Sequence, residues 1–243
     1  MNKDVYLKIA DEVSDDRTII NMLSVNKKYY SDAFFKTLFN KRYPLLAQLK
    51  EEKYADKSWK DYYLLQLYCL DLLKREYGIR YIPVKSFNPE EILDNIDDDI
   101  SKGGRKDRVV NGILLKLYAE AGDFENFEKI TEKTHSGKLF VDALPYVIIG
   151  GNLQILDIAI HKAYTYLFTG SYIKLLDQLV FLSIEYDKVE MFKFLVEVYE
   201  ANANWNSIMN LVVRLSNFIK TWKVENAEIV SQVNKLADAY GVL

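Results

Sequence analysis

Apolar positions recur along this chain at helical spacing. Val5, Ile9 and Val13 fall one turn apart and share one side of a first helix. Ser14-Asp15-Asp16 breaks that stripe with side chains that accept hydrogen bonds from free backbone N–H groups, which favours turns and helix starts. Ile19, Ile20, Leu23 and Val25 resume an apolar face ahead of Asn26-Lys27-Lys28-Tyr29-Tyr30. Ala33-Phe34-Phe35, Leu38-Phe39 and Tyr43 continue a stripe that Pro44 should end, and Leu45, Leu46 and Leu49 add another turn or two. Ser58, with Asp61 three residues on, predicts a capped helix from Trp59 to Glu76. It is apolar on most sides, which predicts a central position, and Gly78 is its stop. Ile79 to Phe87 reads as an extended connector around Pro83. Asn88-Pro89-Glu90-Glu91 then predicts a helix start: a cap, a proline at the first position and acids in the first turn. Ile92, Leu93, Ile96 and Ile100 form that helix's inner face, and Gly103-Gly104 ends it.

Beyond a boundary placed near residue 85 the pattern repeats. Tyr118-Ala119-Glu120-Ala121-Gly122-Asp123-Phe124-Glu125-Asn126-Phe127 aligns with Val147-Ile148-Ile149-Gly150-Gly151-Asn152-Leu153-Gln154-Ile155-Leu156, and Ser183 to Phe192 is a weaker third copy. Each copy is a helix, a tight Gly or Asp turn and a second helix. Gly122 and Gly151 are 29 residues apart, and Gly151 and Asp187 are 36 apart. Arrays of helical hairpins repeat at about 33 to 47 residues, so the period is roughly right but irregular. Trp205 to Lys220 and Val224 to Tyr240 read as a last amphipathic pair that closes the stack.

Two resemblances emerge. The layout of residues 4–30, two short amphipathic helices separated by a polar turn and followed by Val25-Asn26-Lys27-Lys28-Tyr29, resembles an F-box. Ser58-Trp59-Lys60-Asp61-Tyr62-Tyr63 resembles the Trp-Lys-x-x-Tyr segment that often trails that motif. The Leu-Pro pair that usually opens the family is absent, with Lys3-Asp4 near its place. The turn-and-helix cores of the later repeats resemble ankyrin units, whose second helix commonly opens Gly-x-Leu-Glu-x-Val. The opening Thr-Pro-Leu-His element is replaced by Ile113-Leu114-Leu115-Lys116 and Asp142-Ala143-Leu144-Pro145, so short or missing hairpin fingers are expected. Proteins that join these two parts resemble those of large DNA viruses. The F-box resemblance implies that Val5, Tyr6, Ile9, Ile20, Leu23, Val25, Lys27 and Tyr29 dock on a Skp-type subunit of a cullin-based ubiquitin ligase, while the repeats hold a protein target. The alternative for the same helices is a structural scaffold, such as a particle component.

Composition narrows the field. Of 243 residues, 49% are hydrophobic and 28% charged, enough for a substantial core and too apolar for wholesale disorder. With only 4 Pro and 10 Gly the chain is poor in turn punctuation, which favours helices over an all-β fold. A net charge of −3 argues against a broad nucleic-acid surface. Cys69 is the sole cysteine, so no internal disulfide or cysteine-based zinc site is expected and a reducing, intracellular compartment is the simplest setting. The opening residues lack a signal peptide's apolar core, and no apolar run approaches the roughly 18 residues a spanning helix needs.

Candidate chemistry is sparse. From Asp97, the sixth and twelfth positions are Lys102 and Arg108, so the acids Asp94, Asp97, Asp98 and Asp99 miss the calcium-loop pattern and read as a solvated helix face. Gly103-Gly104-Arg105-Lys106 and Ser136-Gly137-Lys138 lack phosphate-loop spacing and read as ordinary loops. His135 and His161 are 26 residues apart, without metal-ligand spacing, and read as surface or capping residues. Cys69 reads as a small core residue. Trp59 is expected in the core, whereas Trp205 and Trp222 divide evenly between core and interface. The sequence thus predicts an all-α chain: an F-box-like helical module over residues 1–85, then a solenoid-like stack of helix pairs over residues 86–243. Its expected role is non-catalytic binding, with no cofactor and no metal.

Overall fold

The computed structural model describes residues 18–21 and 31–242. Among them every regular element is helical and no strand occurs. Contacts divide the chain between Val110 and Asn111. The sequence boundary near residue 85 falls earlier because the Asn88-Pro89 start opens a helix that packs with its predecessors.

In the first unit, α1 (Asp32–Arg42) packs on α2 (Pro44–Lys53) and α3 (Trp59–Tyr77), and α3 packs on α4 (Pro89–Ser101). Pro44 ends α1 as expected and also opens α2, where its missing N–H costs nothing. Phe39 is the centre of an aromatic knot, 5.3 to 6.5 Å by ring centroid from Tyr43, Trp59, Tyr62 and Tyr63. The first turn of α3 is capped twice: Ser58 accepts from the Asp61 N–H and Asp32 from the Lys60 N–H, each at 3.0 Å. Only one stripe of α3 is buried, Trp59, Tyr62, Tyr63, Gln66, Cys69 and Leu73. Tyr68 is exposed and the leucines between are half-buried, so α3 is less central than its composition predicts. Asn88 precedes α4 but does not cap it. Its side-chain amide donates instead to Glu91 at 3.2 Å and to the Tyr54 hydroxyl at 3.4 Å.

α5 (Lys106–Ala121) runs through the division. In the second unit it is followed by α6 (Phe124–Lys133), α7 (Gly137–Gly150), α8 (Leu153–Tyr164), α9 (Thr169–Glu185), α10 (Val189–Asn202), α11 (Trp205–Trp222) and α12 (Ala227–Ala239). α7 pairs with α8, α9 with α10 and α11 with α12. Helices two apart also touch: α6 with α8, α8 with α10, α10 with α12, and α7 with α9. The part of α5 beyond Asn111 meets α7 through Gly112 against Leu139 and through Lys116 over the Tyr146 ring. These contacts make two rows, one of α5, α7, α9 and α11 and one of α6, α8, α10 and α12. A single apolar cluster from Leu115 to Ala237 fills the space between them.

A left-handed residue ends every helix of the first row: Gly122 (φ 66°), Gly151 (φ 76°), Asp187 (φ 55°) and Lys223 (φ 48°). The first three are the positions matched in the sequence repeat. Lys223 is a fourth that the pattern did not reveal, 36 residues after Asp187. At Gly122 and Asp187 the N–H of the turn residue and that of the next bond back to carbonyls three and five residues earlier, which satisfies two carbonyls the helix end leaves free. The turns also bind one another. Asn152 caps α8 by accepting from the Gln154 and Ile155 N–H groups, and its amide donates to the Gly122 carbonyl at 3.1 Å. Asn226 caps α12 and donates to Asp187 at 2.5 Å. Between them Lys188 lies along Gly151, where a Cβ would sit 3.1 Å from Nζ.

Two sequence expectations change here. Ser136-Gly137-Lys138 is not a loop: Gly137 is the first residue of α7, against Tyr166. The two segments standing where an ankyrin unit opens lie inside helices, residues 113–116 in α5 and residues 142–145 in α7. Pro145 should break a helix at a cost of about 3 kcal/mol. Burial of Phe140, Ala143, Leu144, Val147 and Ile148 on either side offsets that loss, and Pro145 itself is exposed.

The Asn152 bonds separate by substitution. Asn152→Ala removes both cap and inter-turn bond and should lower the unfolding free energy by about 2 kcal/mol. Asn152→Ser keeps a capping acceptor and is too short to donate to Gly122, for about half that loss. Urea unfolding of the full chain measures both, and an unchanged midpoint in the Ala variant would show that the turns are not tied in this way.

Candidate functional site

Seven of the eight residues that the F-box resemblance marks for docking, Val5, Tyr6, Ile9, Leu23, Val25, Lys27 and Tyr29, lie outside the described residues. Ile20 lies within them, half-buried against the core of the first unit beside the fully buried Ile19.

The chemistry-bearing residues are dispersed. Asp94, Asp97, Asp98 and Asp99 are exposed on α4; Tyr77 donates to Asp97, and Asp98 pairs with Lys102 at 2.6 Å. His135 is exposed between α6 and α7, and His161 is exposed in the last turn of α8. Among the described residues no group of histidine, cysteine and acidic side chains is arranged to hold a metal ion. Cys69 is buried on α3, and desolvation pushes its thiol up to about 11, so it stays protonated and poorly nucleophilic at neutral pH. No helix among the described residues is long and apolar enough to cross a membrane.

The tryptophans divide sharply. Trp59 is in the core, with the Lys36 and Lys50 ammonium groups each 5.0 Å from its ring. Trp205 and Trp222 are exposed, at 60% and 71%. Trp222 belongs to a groove of about 560 Å³ between α9 and α11. Its α9 wall is Asp177, Phe181 and Glu185, and its α11 wall Arg214, Phe218 and Trp222. On each helix these residues are four apart, so each set stacks along one face.

The groove is a ladder with one rung per turn. At the first rung Arg214 Nη1 donates to both Asp177 carboxylate oxygens, at 2.9 and 2.8 Å. The Asp177 side chain is 18% exposed and the Arg214 side chain 50%. The same guanidinium lies 4.8 Å from the centroid of Phe181, a cation–π contact that the carboxylate holds in place. The Asp177 charge also reaches Tyr199 of α10, whose hydroxyl is pushed up first by burial and then by that charge. At the second rung Phe181 and Phe218 meet edge to face at 5.2 Å. At the third are Glu185 and Trp222, with the Trp222 ring 6.1 Å from Phe218. Such a concave strip, lined by aromatic rings and by charged side chains, suits a protruding side chain or a peptide segment.

A second depression of about 210 Å³ is lined by Asp157, His161, Tyr164, Tyr172, Phe194 and neighbours. Tyr164 and Tyr172 meet there edge to face, and burial pushes the Tyr172 hydroxyl up to about 12. No protein-family model, curated protein or solved structure matches the chain.

Sequence reasoning reached Trp222 but missed its neighbours. A signal was present: Asp-x3-Phe-x3-Glu on α9 and Arg-x3-Phe-x3-Trp on α11 stand in register, 37 residues apart at every step. Opposite charges, paired rings and an acid beside an indole at one constant offset mark two helices side by side.

Replacing Arg214 by Ala strips the partly sheltered Asp177 of its donor and uncovers Phe181. Half of the pair is solvated, so the expected loss is about 1 kcal/mol, read as a Tm lower by about 2–4 °C. An unshifted Tm would show that the pair contributes no stability. Cys69 should resist iodoacetamide in the native protein at pH 8 and react promptly in urea; fast native labelling would contradict its burial.

Proposed function

We propose that this protein is a non-catalytic binding adaptor, in which residues 1–85 dock on a Skp-type subunit and the helical array beyond them holds a second protein for ubiquitin transfer. The observation that carries the recognition half is the groove between α9 and α11, where Trp222 is 71% exposed beside Phe218 and Glu185. Tryptophan is enriched among the few residues that carry most of the binding energy at interfaces. The docking half rests on the residue pattern from Val5 to Tyr29 and its resemblance to an F-box. An adaptor of this kind performs no chemistry. It raises the local concentration of its cargo near the transferring enzyme.

Calorimetric titration of the full chain with a purified Skp-type subunit tests the docking half. The expected result is one-to-one binding at micromolar concentration or tighter, weakened at least about tenfold by Val5→Asp or Ile9→Asp. Absence of heat at those concentrations would overturn it.

A structural scaffold is the second reading. Phe168, 90% exposed between α8 and α9, and Trp205, 60% exposed at the start of α11, favour it as contacts between copies. Concentration-dependent sedimentation of the purified chain, lost in Phe168→Ser, is the result expected of a scaffold.

A further inference from the structure

The three rungs of the groove are chemically unequal, and the inequality points to what the groove binds. The first rung is complete and leans on the second: the Asp177 carboxylate, the Arg214 guanidinium and the Phe181 face one turn on form a unit in which the cation touches both acid and ring. Two turns further along, the acid and the aromatic face recur as Glu185 and Trp222, without a cation. Glu185 is exposed and has no ion-pair or hydrogen-bond partner among the described residues. Lys188, three residues from Glu185, is turned toward Gly151, and Lys220 and Lys223 on either side of Trp222 do not line the groove. Because Asp177 is neutralised by Arg214, the charge left in the groove is the negative charge of Glu185. The indole beside it is the aromatic ring that attracts cations most strongly.

We infer that the third rung is a receptor for an arginine side chain of a partner protein, resting on the reading of the array as a recognition surface. The incoming guanidinium would lie against Trp222 and donate to Glu185, and the residue beside it would cover Phe218. The internal Arg214 unit is the template. Arginine is preferred to lysine because its planar group stacks on a ring and donates to a carboxylate at once, whereas an ammonium is a compact, strongly hydrated charge. The interaction should weaken with salt, since the rung is open to solvent.

The test is selection of a random 12-residue peptide library displayed on phage against the full chain, followed by fluorescence anisotropy with the enriched peptides. Enriched sequences should share an arginine next to an apolar residue. Their Kd should rise about tenfold in Glu185→Gln and at least as much in Trp222→Ala, and less when the peptide arginine is replaced by lysine. Glu185→Arg should reverse the preference toward peptides bearing an acid at that position. Glu185 is exposed, so these variants keep the fold, which circular dichroism checks. Enriched peptides that lack a cation, or that bind Glu185→Gln as well as wild type, would overturn the arginine assignment and leave the recognition reading standing. No enrichment at all would overturn both. Sedimentation showing that Glu185→Gln dissolves a dimer of the chain would assign the groove to a second copy and overturn the peptide occupant. Binding to a Skp-type subunit is independent of each of these outcomes.

Discussion

The second unit depends on a backbone constraint: each helix of one row must end in a residue with positive φ, so that the chain reverses at once and lays the next helix against it. Glycine meets this at Gly122 and Gly151 without strain. Asp187 and Lys223 adopt the same conformation at a cost of roughly 1 kcal/mol each. That cost is offset because the reversed helices bury a continuous apolar face, and because the turns bond to each other through Asn152 and Asn226. Two of the three successive turns are thereby bonded to the one before and the third is packed on it through Lys188, so stability accumulates from neighbour to neighbour.

The first unit is held by other means. Its first three helices are gathered around Phe39, whose ring touches four other aromatic rings, and the start of α3 is held by Asp32 from α1 as well as by Ser58. Removing one helix of the array would cost the packing of its neighbours. Removing Phe39 would cost all contacts of the knot together.

The groove follows from the turns. Helices of the same row run side by side at a constant offset, so a side chain on α9 meets its counterpart 37 residues later on α11. An ion pair and a ring pair fall on successive turns, and Glu185 and Trp222 line the groove one turn further on. The first two rungs satisfy themselves and hold the helices together, and the third is left open to solvent at the ends of both helices.

The sequence by itself determined the helical class, the start and stop of α3, the ends of α1 and α4, and three of the four tight turns, because these rest on local signals: helical spacing, Ser58 and Asp61, Pro44, and Gly122, Gly151 and Asp187. Where a local signal was overruled, a partner distant in sequence was responsible. Pro145 stays inside α7 because the core on either side of it holds the helix. Asn88 does not cap because its amide is turned to the Tyr54 hydroxyl, and Gln66 is buried because the packing of α3 turns that stripe inward. The groove belongs to the same class. Asp177, Phe181, Arg214 and Phe218 are ordinary residues of two amphipathic helices until the fold sets α9 beside α11, since a side-chain pair exists only when two backbones are brought within reach.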